Sequence, residues 1–320
     1  MRALSLGLKD HGIEVIFDHE MRPYGAILLV GGTRHLGWLW QCKRRGIPII
    51  QRLGPINWVH KYEKVTSKAR WMGGLRNWNV GFVRRHLADH VVYQSNFSKG
   101  WWDSSYGATP VECSTIHNGV DTRLFTPSGE SVHDRNSISL VAVEGNLAYV
   151  RQVLMTSLQT WKRVAEDHPR CTLLLVGDLT ESWRTMLPND PRVMYAGPLP
   201  HEQVPAYLRG ATAFISAEIN PACPNSVIEA LACGTPVVGF ATGALREIVT
   251  EGAGVIADYG ADPWKLEPPD IDALVTAVEK VRSSYDRFSA EARKVALEQF
   301  STQKMANAYA QVIRNAVGRS

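Results

Sequence analysis

The residues richest in chemistry lie in one stretch, 216–249, which reads SAEINPACPNSVIEALACGTPVVGFATGALREIV. Its spacing predicts a loop of Pro, Asn and Ser leading into a short apolar helix over 226–232, closed by Cys233-Gly234 before a strand at 236–240. The first turn of a helix carries N–H groups without partners inside the helix, and these suit an anion such as a diphosphate. Glu229, on that helix, is a carboxylate able to accept hydrogen bonds from ribose or sugar hydroxyls. Taken alone it reads more readily as a first-turn acid that complements the helix dipole. Arg151 has a planar fork that suits phosphate oxygens, and it reads equally as a solvated residue at a helix start. A third polar group, Arg52, Asn57 and His60, follows a strand predicted over 47–50. His60 and His117 are lone histidines, a type more often structural than catalytic, because a catalytic base is recognised first by geometry.

Alternating strand-like and helix-like segments must position these groups, which predicts parallel sheets flanked by helices. The chain opens on a helical period over 3–9 with Gly12 as its cap, then strands at 13–17 and 26–30, a helix over 35–45 and a strand at 47–50. A strand at 90–94 precedes a helix over 98–106 with Ser98 as its cap, and 115–117 reads as a strand before the Asn118-Gly119 turn. The polar, aperiodic run 128–136 reads as a linker. The pattern then restarts, with strands at 138–143, 172–176, 193–195 and 213–216 and helices over 153–167 and 202–209. A doubly wound domain ordinarily opens on a strand and a glycine-rich turn. Here the first period is helical, so either the domain starts upstream or its sheet lacks the usual first strand.

With 320 residues, 45% of them hydrophobic and 21% charged, the chain can bury two ordinary cores. No run approaches the roughly 20 apolar residues of a membrane span, and charges interrupt the N-terminal region where a secretory signal would be apolar. Five cysteines without CxxC spacing read as reduced thiols rather than a disulfide framework or zinc site, which predicts a soluble protein of the cytoplasm. The net charge of +4 is modest, but Lys61 to Arg85 interleaves basic residues with tryptophans. That segment suits an anionic membrane surface or a phosphorylated acceptor, or it is a solvated helix whose aromatics turn inward, the plainer reading. The absence of GxxxxGK[ST], HExxH, GxSxG and a strand-borne GxGxxG argues against a P-loop nucleotidase, a zincin, an α/β-hydrolase and a nicotinamide enzyme.

Several motifs occurring in order resemble glycosyltransferase family 4, the group 1 retaining glycosyltransferases: VVYQSNFSKGWW, IHNGVDTRLFTP, LLLVGD, YAGPLPHEQVPAYLRGATAFISAE, IEALACGTPVV with TGALREIV, and FSTQKMANAYAQVI. The resemblance implies an α/β fold of the GT-B kind, two Rossmann-like doubly wound domains facing a cleft. It divides the chain into an acceptor-side domain, 1–127, on which 301–320 packs back, and a nucleotide-sugar donor domain, 128–300. It implies donor contacts at Gly145, Asn146, Gly177, Gly197, Pro198, Leu199, Asn225, Ser226, Val227 and Glu229, and catalytic roles for Arg151, Glu229 and His60. Arg52, Gly54 and Asn57 become acceptor-side candidates.

The chain departs from the family pattern at several positions. Pro221 stands at the first acid of the E-x7-E motif, with Glu218 three residues earlier. Asn146 replaces an Arg, Arg151 a Lys, and Gly54 a His found in many members. The implied reaction moves a sugar, with retention and without a metal or other cofactor, from a nucleotide-diphosphate-sugar to a glycan, lipid-linked or small-molecule acceptor. Peripheral membrane contact through 58–85, at the inner face of the membrane, accompanies that reading, and no nucleic acid does. The alternatives are a catalytically inactive GT-B scaffold and a nucleotide-sugar 2-epimerase.

Overall fold

Two parallel sheets, each in its own unit, organise the chain. The structure is a computed structural model that describes residues 2–18, 20, 23–59, 67–134, 137–148, 150–250 and 252–318. The first unit comprises 1–119 and 302–320, the second 120–301. In the first, α1 (Arg2–Lys9), β1 (Ile27–Val30), α2 (Leu36–Arg44), β2 (Ile49–Leu53), α3 (Ser67–Phe82), β3 (His90–Tyr93), α4 (Asn96–Tyr106) and β4 (Glu112–Thr115) follow in sequence. The four strands lie in the order β1-β2-β3-β4, all parallel.

The second unit contains β5 (Ser139–Asn146), α5 (Arg151–Asp167), β6 (Thr172–Asp178), α6 (Glu181–Arg184), β7 (Val193–Gly197), α7 (Val204–Leu208) and β8 (Ala213–Ser216). It continues through α8 (Asn225–Ala232), β9 (Val237–Phe240), α9 (Leu245–Ile248), β10 (Gly254–Ala257), α10 (Ile271–Ser283) and α11 (Tyr285–Gln299). Its parallel strands take the order β10-β9-β8-β5-β6-β7, which reverses at β5 and β8. In such sheets that reversal opens a crevice at the carboxyl ends of the strands, where ligands bind. The last helix, α12 (Thr302–Val317), belongs to the first unit.

Strand alternation sets the core of the first unit. Successive residues of a strand face opposite sides of the sheet. Ile49 accordingly packs with Leu39, Val83 and Leu87, while Ile50 packs with Leu4 and Leu8 of α1 and Met305, Ala306 and Tyr309 of α12. The strand predicted over 13–17 does not form, although burial alternates over 13–16. Ile13 and Val15 pack onto the α1/α12 cluster, Ile16 and Phe17 are exposed, and the segment has no ladder partner.

Other boundaries also shift. The helix expected from Ser98 begins at Asn96 because Ser95, not Ser98, is its cap: Ser95 Oγ accepts from Ser98 N at 3.0 Å. The strand expected at 115–117 runs over Glu112–Thr115 instead, paired with β3, and the helix over 202–209 shortens to Val204–Leu208. The units divide after Gly119 rather than at 127, and the reason is visible in two arginines. Arg209 donates to the carbonyls of Leu124, Thr126 and Glu130, and Arg293 to those of Thr122, Phe125 and Ala232, so 120–130 is tied into the second unit. The inward-facing reading of the aromatic segment holds for Trp58, which is buried, and for Phe82, which packs against the Ile49 cluster; Trp71 and Trp78 of α3 are 68% and 55% exposed.

Candidate functional site

A pocket of roughly 360 Å³ opens at the carboxyl ends of β5 and β6, beside the point where the strand order reverses. β5 contributes Val143, Glu144 and Gly145, β6 contributes Val176 and Gly177, and Pro198, Leu199 and His201 follow β7. Glu218 follows β8, and Pro224, Asn225, Ser226 and Glu229 come from the start of α8 and its approach. The N-cap of α8 is Pro224, whose side chain makes no capping bond. The helix N-terminus therefore meets the pocket without a side-chain oxygen closing it, an arrangement suited to an anion. Glu229 sits beyond the first turn of α8, which carries no acid, so it is not there to complement the dipole. Its Oε1 is instead hydrogen-bonded to His201 Nε2 at 2.8 Å, and the imidazole lies against Phe125 with ring centroids 5.0 Å apart.

Three carboxyls face this pocket, and no Lys or Arg is among its described lining residues. Burial pushes the Glu218 carboxyl up to about 7. Burial first, and then the charges of Glu218 and Glu229, raise Glu144 well above the carboxylate range, against the Ser226 hydroxyl, which donates to Glu144 Oε1 at 3.4 Å. Glu229 is raised by burial and partly restored by His201. Like-charged acids in one low-dielectric site cannot all ionise, so the pocket carries protons at neutral pH. It can therefore both donate to and accept from hydroxyl groups.

Stability follows from those protons. A carboxyl raised in the fold contributes stability that is complete below its unfolded pKa and is lost as pH rises through the folded one. For Glu218 that window runs from 4.5 to about 7. A shift of this size corresponds to about 3 kcal/mol. Urea unfolding at pH 5.5 and pH 8 is expected to give the lower stability at pH 8, with Glu218→Gln flattening the dependence. An unchanged pH dependence in the variant would contradict the assignment.

Of the donor-side residues expected from the sequence, the pocket brings together Gly145, Gly177, Pro198, Leu199, Asn225, Ser226 and Glu229. Val227 is fully buried in α8, and Gly197 ends β7 without lining the pocket. Asn146 Oδ1 accepts from Ala148 N at 3.0 Å, a local turn at the end of β5, and Asn146 is also outside the lining. Arg151 is exposed as the first residue of α5 and outside it as well. His60 lies outside the described residues. Glu218 reaches the pocket because the 217–224 loop turns through Asn220, a non-glycine residue at φ 53°. Glu144 and His201 were not singled out from the sequence; a Glu at a strand end beside Gly145 was the available signal for the first.

In the first unit, Arg52, Gly54 and Asn57 lie at and beyond the carboxyl end of β2. Gly54 O accepts from Ser98 Oγ (3.0 Å) and Trp102 Nε1 (2.9 Å), and a Cβ at this position would stand 2.4 Å from Gln94 Oε1. Two asparagines of α3 hold the neighbouring loops by paired amide contacts: Asn77 bonds both N and O of Asn57, and Asn79 both N and O of Thr33.

Residues 139–284 match the family model described as glycosyl transferases group 1. The D-inositol 3-phosphate glycosyltransferase 1 of Catenulispora acidiphila is 28% identical over 195 residues, covering 55% of this chain and 46% of that protein. The MMP alpha-(1->4)-mannosyltransferase of Mycolicibacterium hassiacum is 25% identical over 292 residues, covering 88% and 68%. The match thus spans about half the length of the first of these glycosyltransferases. Among solved structures, the sucrose-phosphate synthase of Thermosynechococcus elongatus has a TM-score of 0.72 at 19% identity, covering 93% of this chain and 75% of that one. Anabaena HepE in complex with UDP-glucose has a TM-score of 0.68 at 16% identity, covering 91% and 79%. The fold is α/β with two parallel sheets, that of GT-B glycosyltransferases.

Proposed function

We propose that the chain is a group 1 glycosyltransferase that moves a sugar from a nucleotide-diphosphate-sugar to a glycan, lipid-linked or small-molecule acceptor, with retention of anomeric configuration. The observation that carries this reading is the pocket beside the β5/β8 reversal, where the α8 N-terminus meets the bonded pair Glu229–His201. Glu229 would accept from the ribose hydroxyls, and the first turn of α8 would face the diphosphate. The proton-carrying carboxyls Glu144 and Glu218 would meet hydroxyls of the transferred sugar. Breaking the anomeric C–O bond builds negative charge on the leaving diphosphate, which the α8 N-terminus opposes without a metal. The acceptor hydroxyl attacks from the face that the diphosphate leaves and gives its proton to the leaving phosphate.

Arg151 would reach that phosphate only by extending from the start of α5. Arg151→Ala is expected to lower turnover tenfold or more, and activity within twofold of the parent would remove it from the role. A scaffold reading draws on the acidic lining and on Asn146 in place of an Arg. One assay separates the two: nucleoside diphosphate release with and without acceptor, in EDTA, with the anomeric configuration of the product read by NMR. Acceptor-dependent release of a retained product supports the transferase. Donor binding without release supports the scaffold, and a rearranged sugar nucleotide supports an epimerase.

Peripheral contact with an anionic membrane is part of the proposal. Trp71, Leu75 and Trp78 are exposed at one-face helical spacing on α3, beside the exposed Lys68 and Arg76. Among the described residues no helix is long and apolar enough to cross a membrane. The five cysteines are free, which suits the cytoplasmic face.

A further inference from the structure

With the donor assigned to the second unit as proposed above, the first unit is left to hold the acceptor, and one side chain there has a charge that the protein does not answer. Arg84, almost wholly buried, is paired with Asp103 and bonded to Tyr93 and Gly107. Arg209 and Arg293 each meet three backbone carbonyls. Arg52 is half-buried at the carboxyl end of β2, and its partners are neutral amides: Nη2 donates to Asn118 Oδ1 at 2.5 Å. Gln94, with its amide turned oxygen-first, accepts from the same guanidinium. No Asp or Glu among the described residues forms an ion pair with Arg52, and its Nε is buried without any acceptor.

A half-buried guanidinium whose Nε is buried without an acceptor and whose partners are neutral amides keeps charge and donors available to an anionic ligand. The surroundings hold the group in place rather than neutralise it. Gly54 leaves room beside the Gln94 side-chain amide, where any Cβ would collide. The position, on an inner strand of a parallel sheet at its carboxyl end, is where α/β units take ligands.

We propose that Arg52 is an anion-recognition site, and that the acceptor carries a phosphate or carboxylate group which this guanidinium binds. The planar fork selects oxyanions with two or more oxygens, so an acceptor with the anion removed loses the contact while keeping its hydroxyl.

The test is calorimetric titration of the full chain with inorganic phosphate and, separately, with acetate, in the parent, Arg52→Gln and Arg52→Lys, with UDP titrated into each as a probe of the second unit. Phosphate or acetate is expected to bind the parent and to bind Arg52→Gln at least tenfold more weakly, with UDP binding unchanged. The stronger of the two anions indicates which group the acceptor carries. Absence of binding by both anions to the parent, or equal binding by Arg52→Gln, would overturn the proposal. Should Arg52→Gln fail to fold, Arg52→Lys decides. It keeps the charge but not the fork, so it should bind the anion more weakly than the parent, and equal binding would again overturn the assignment. Should UDP not bind the parent, the nucleoside diphosphate among GDP, ADP and dTDP that does bind takes its place as the probe, and binding of none of them would count against the donor reading while leaving the anion result standing.

Discussion

Glu229→Ala is expected to weaken binding of nucleoside diphosphates and their sugars by tenfold to a hundredfold while leaving the fold intact. Hydrogen bonds to a charged group contribute about 1.5–3 kcal/mol, which sets that range. Glu229 is one-eighth exposed, 13%, and makes its hydrogen bond to His201, which is itself 65% exposed and so can return to water when the carboxylate is removed. Burial already raises the Glu229 carboxyl, so the variant gives up a poorly solvated acid and should melt no lower than the parent. Glu229→Gln keeps one acceptor oxygen and should lie between the two. Isothermal titration with the donor that the parent prefers checks this, and an affinity for Glu229→Ala within twofold of the parent would take Glu229 out of the binding site.

Gly177→Ala is expected to cost the second unit at least about 1–3 kcal/mol of stability, the range for a residue held at a strained backbone position, with the clash of its Cβ adding to that. Gly177 has φ 141°, and a Cβ there would stand 1.9 Å from the carbonyl oxygen of Glu144 and 3.2 Å from Leu147 Cγ. Neither strand can yield easily. β5 and β6 pair in parallel across this point, with a register shift between Val143 and Asn146, and Gly177 O accepts from Tyr195 OH at 3.0 Å. Gly145→Ala is the matched control, because a Cβ at Gly145 meets nothing within 4 Å and its φ is not in the left-handed region. Urea unfolding should separate the two variants clearly. Gly145→Ala should keep its stability and alter only ligand affinity, since Gly145 lines the pocket. Equal stabilities would mean that the close approach of β6 to β5 does not constrain the site.

The comparison of these two glycines shows how far the sequence could be read. Both were expected as donor contacts from motif positions, and both line the pocket, but only the register of β5 against β6 distinguishes the one that cannot change. Buried strands such as 213–216 and the helix carrying Glu229 were legible because apolar runs and turn residues bound them sharply. The segment 13–17 was misread because alternation records which side chains are buried, not whether a neighbouring strand supplies hydrogen bonds. By spacing, Glu218 stands three residues before the motif position, and only a distorted loop brings it to the pocket. Linear distance along a loop cannot reveal a left-handed turn at Asn220, which needs no glycine to announce it. Arg52 and Asn57 were identified as a loop group, but the amide cluster around Arg52 unites residues from 52 to 118 and has no local signature.

The most direct test of the central claim, that the pocket beside the β5/β8 reversal holds a nucleotide-diphosphate-sugar, is a titration of the full chain with UDP-, GDP-, ADP- and dTDP-sugars at pH 6.5. The account predicts saturable binding of one nucleotide class, weakened by Glu229→Ala and unchanged by Arg52→Gln. Binding of none of them, or binding that Glu229→Ala leaves untouched, would contradict it.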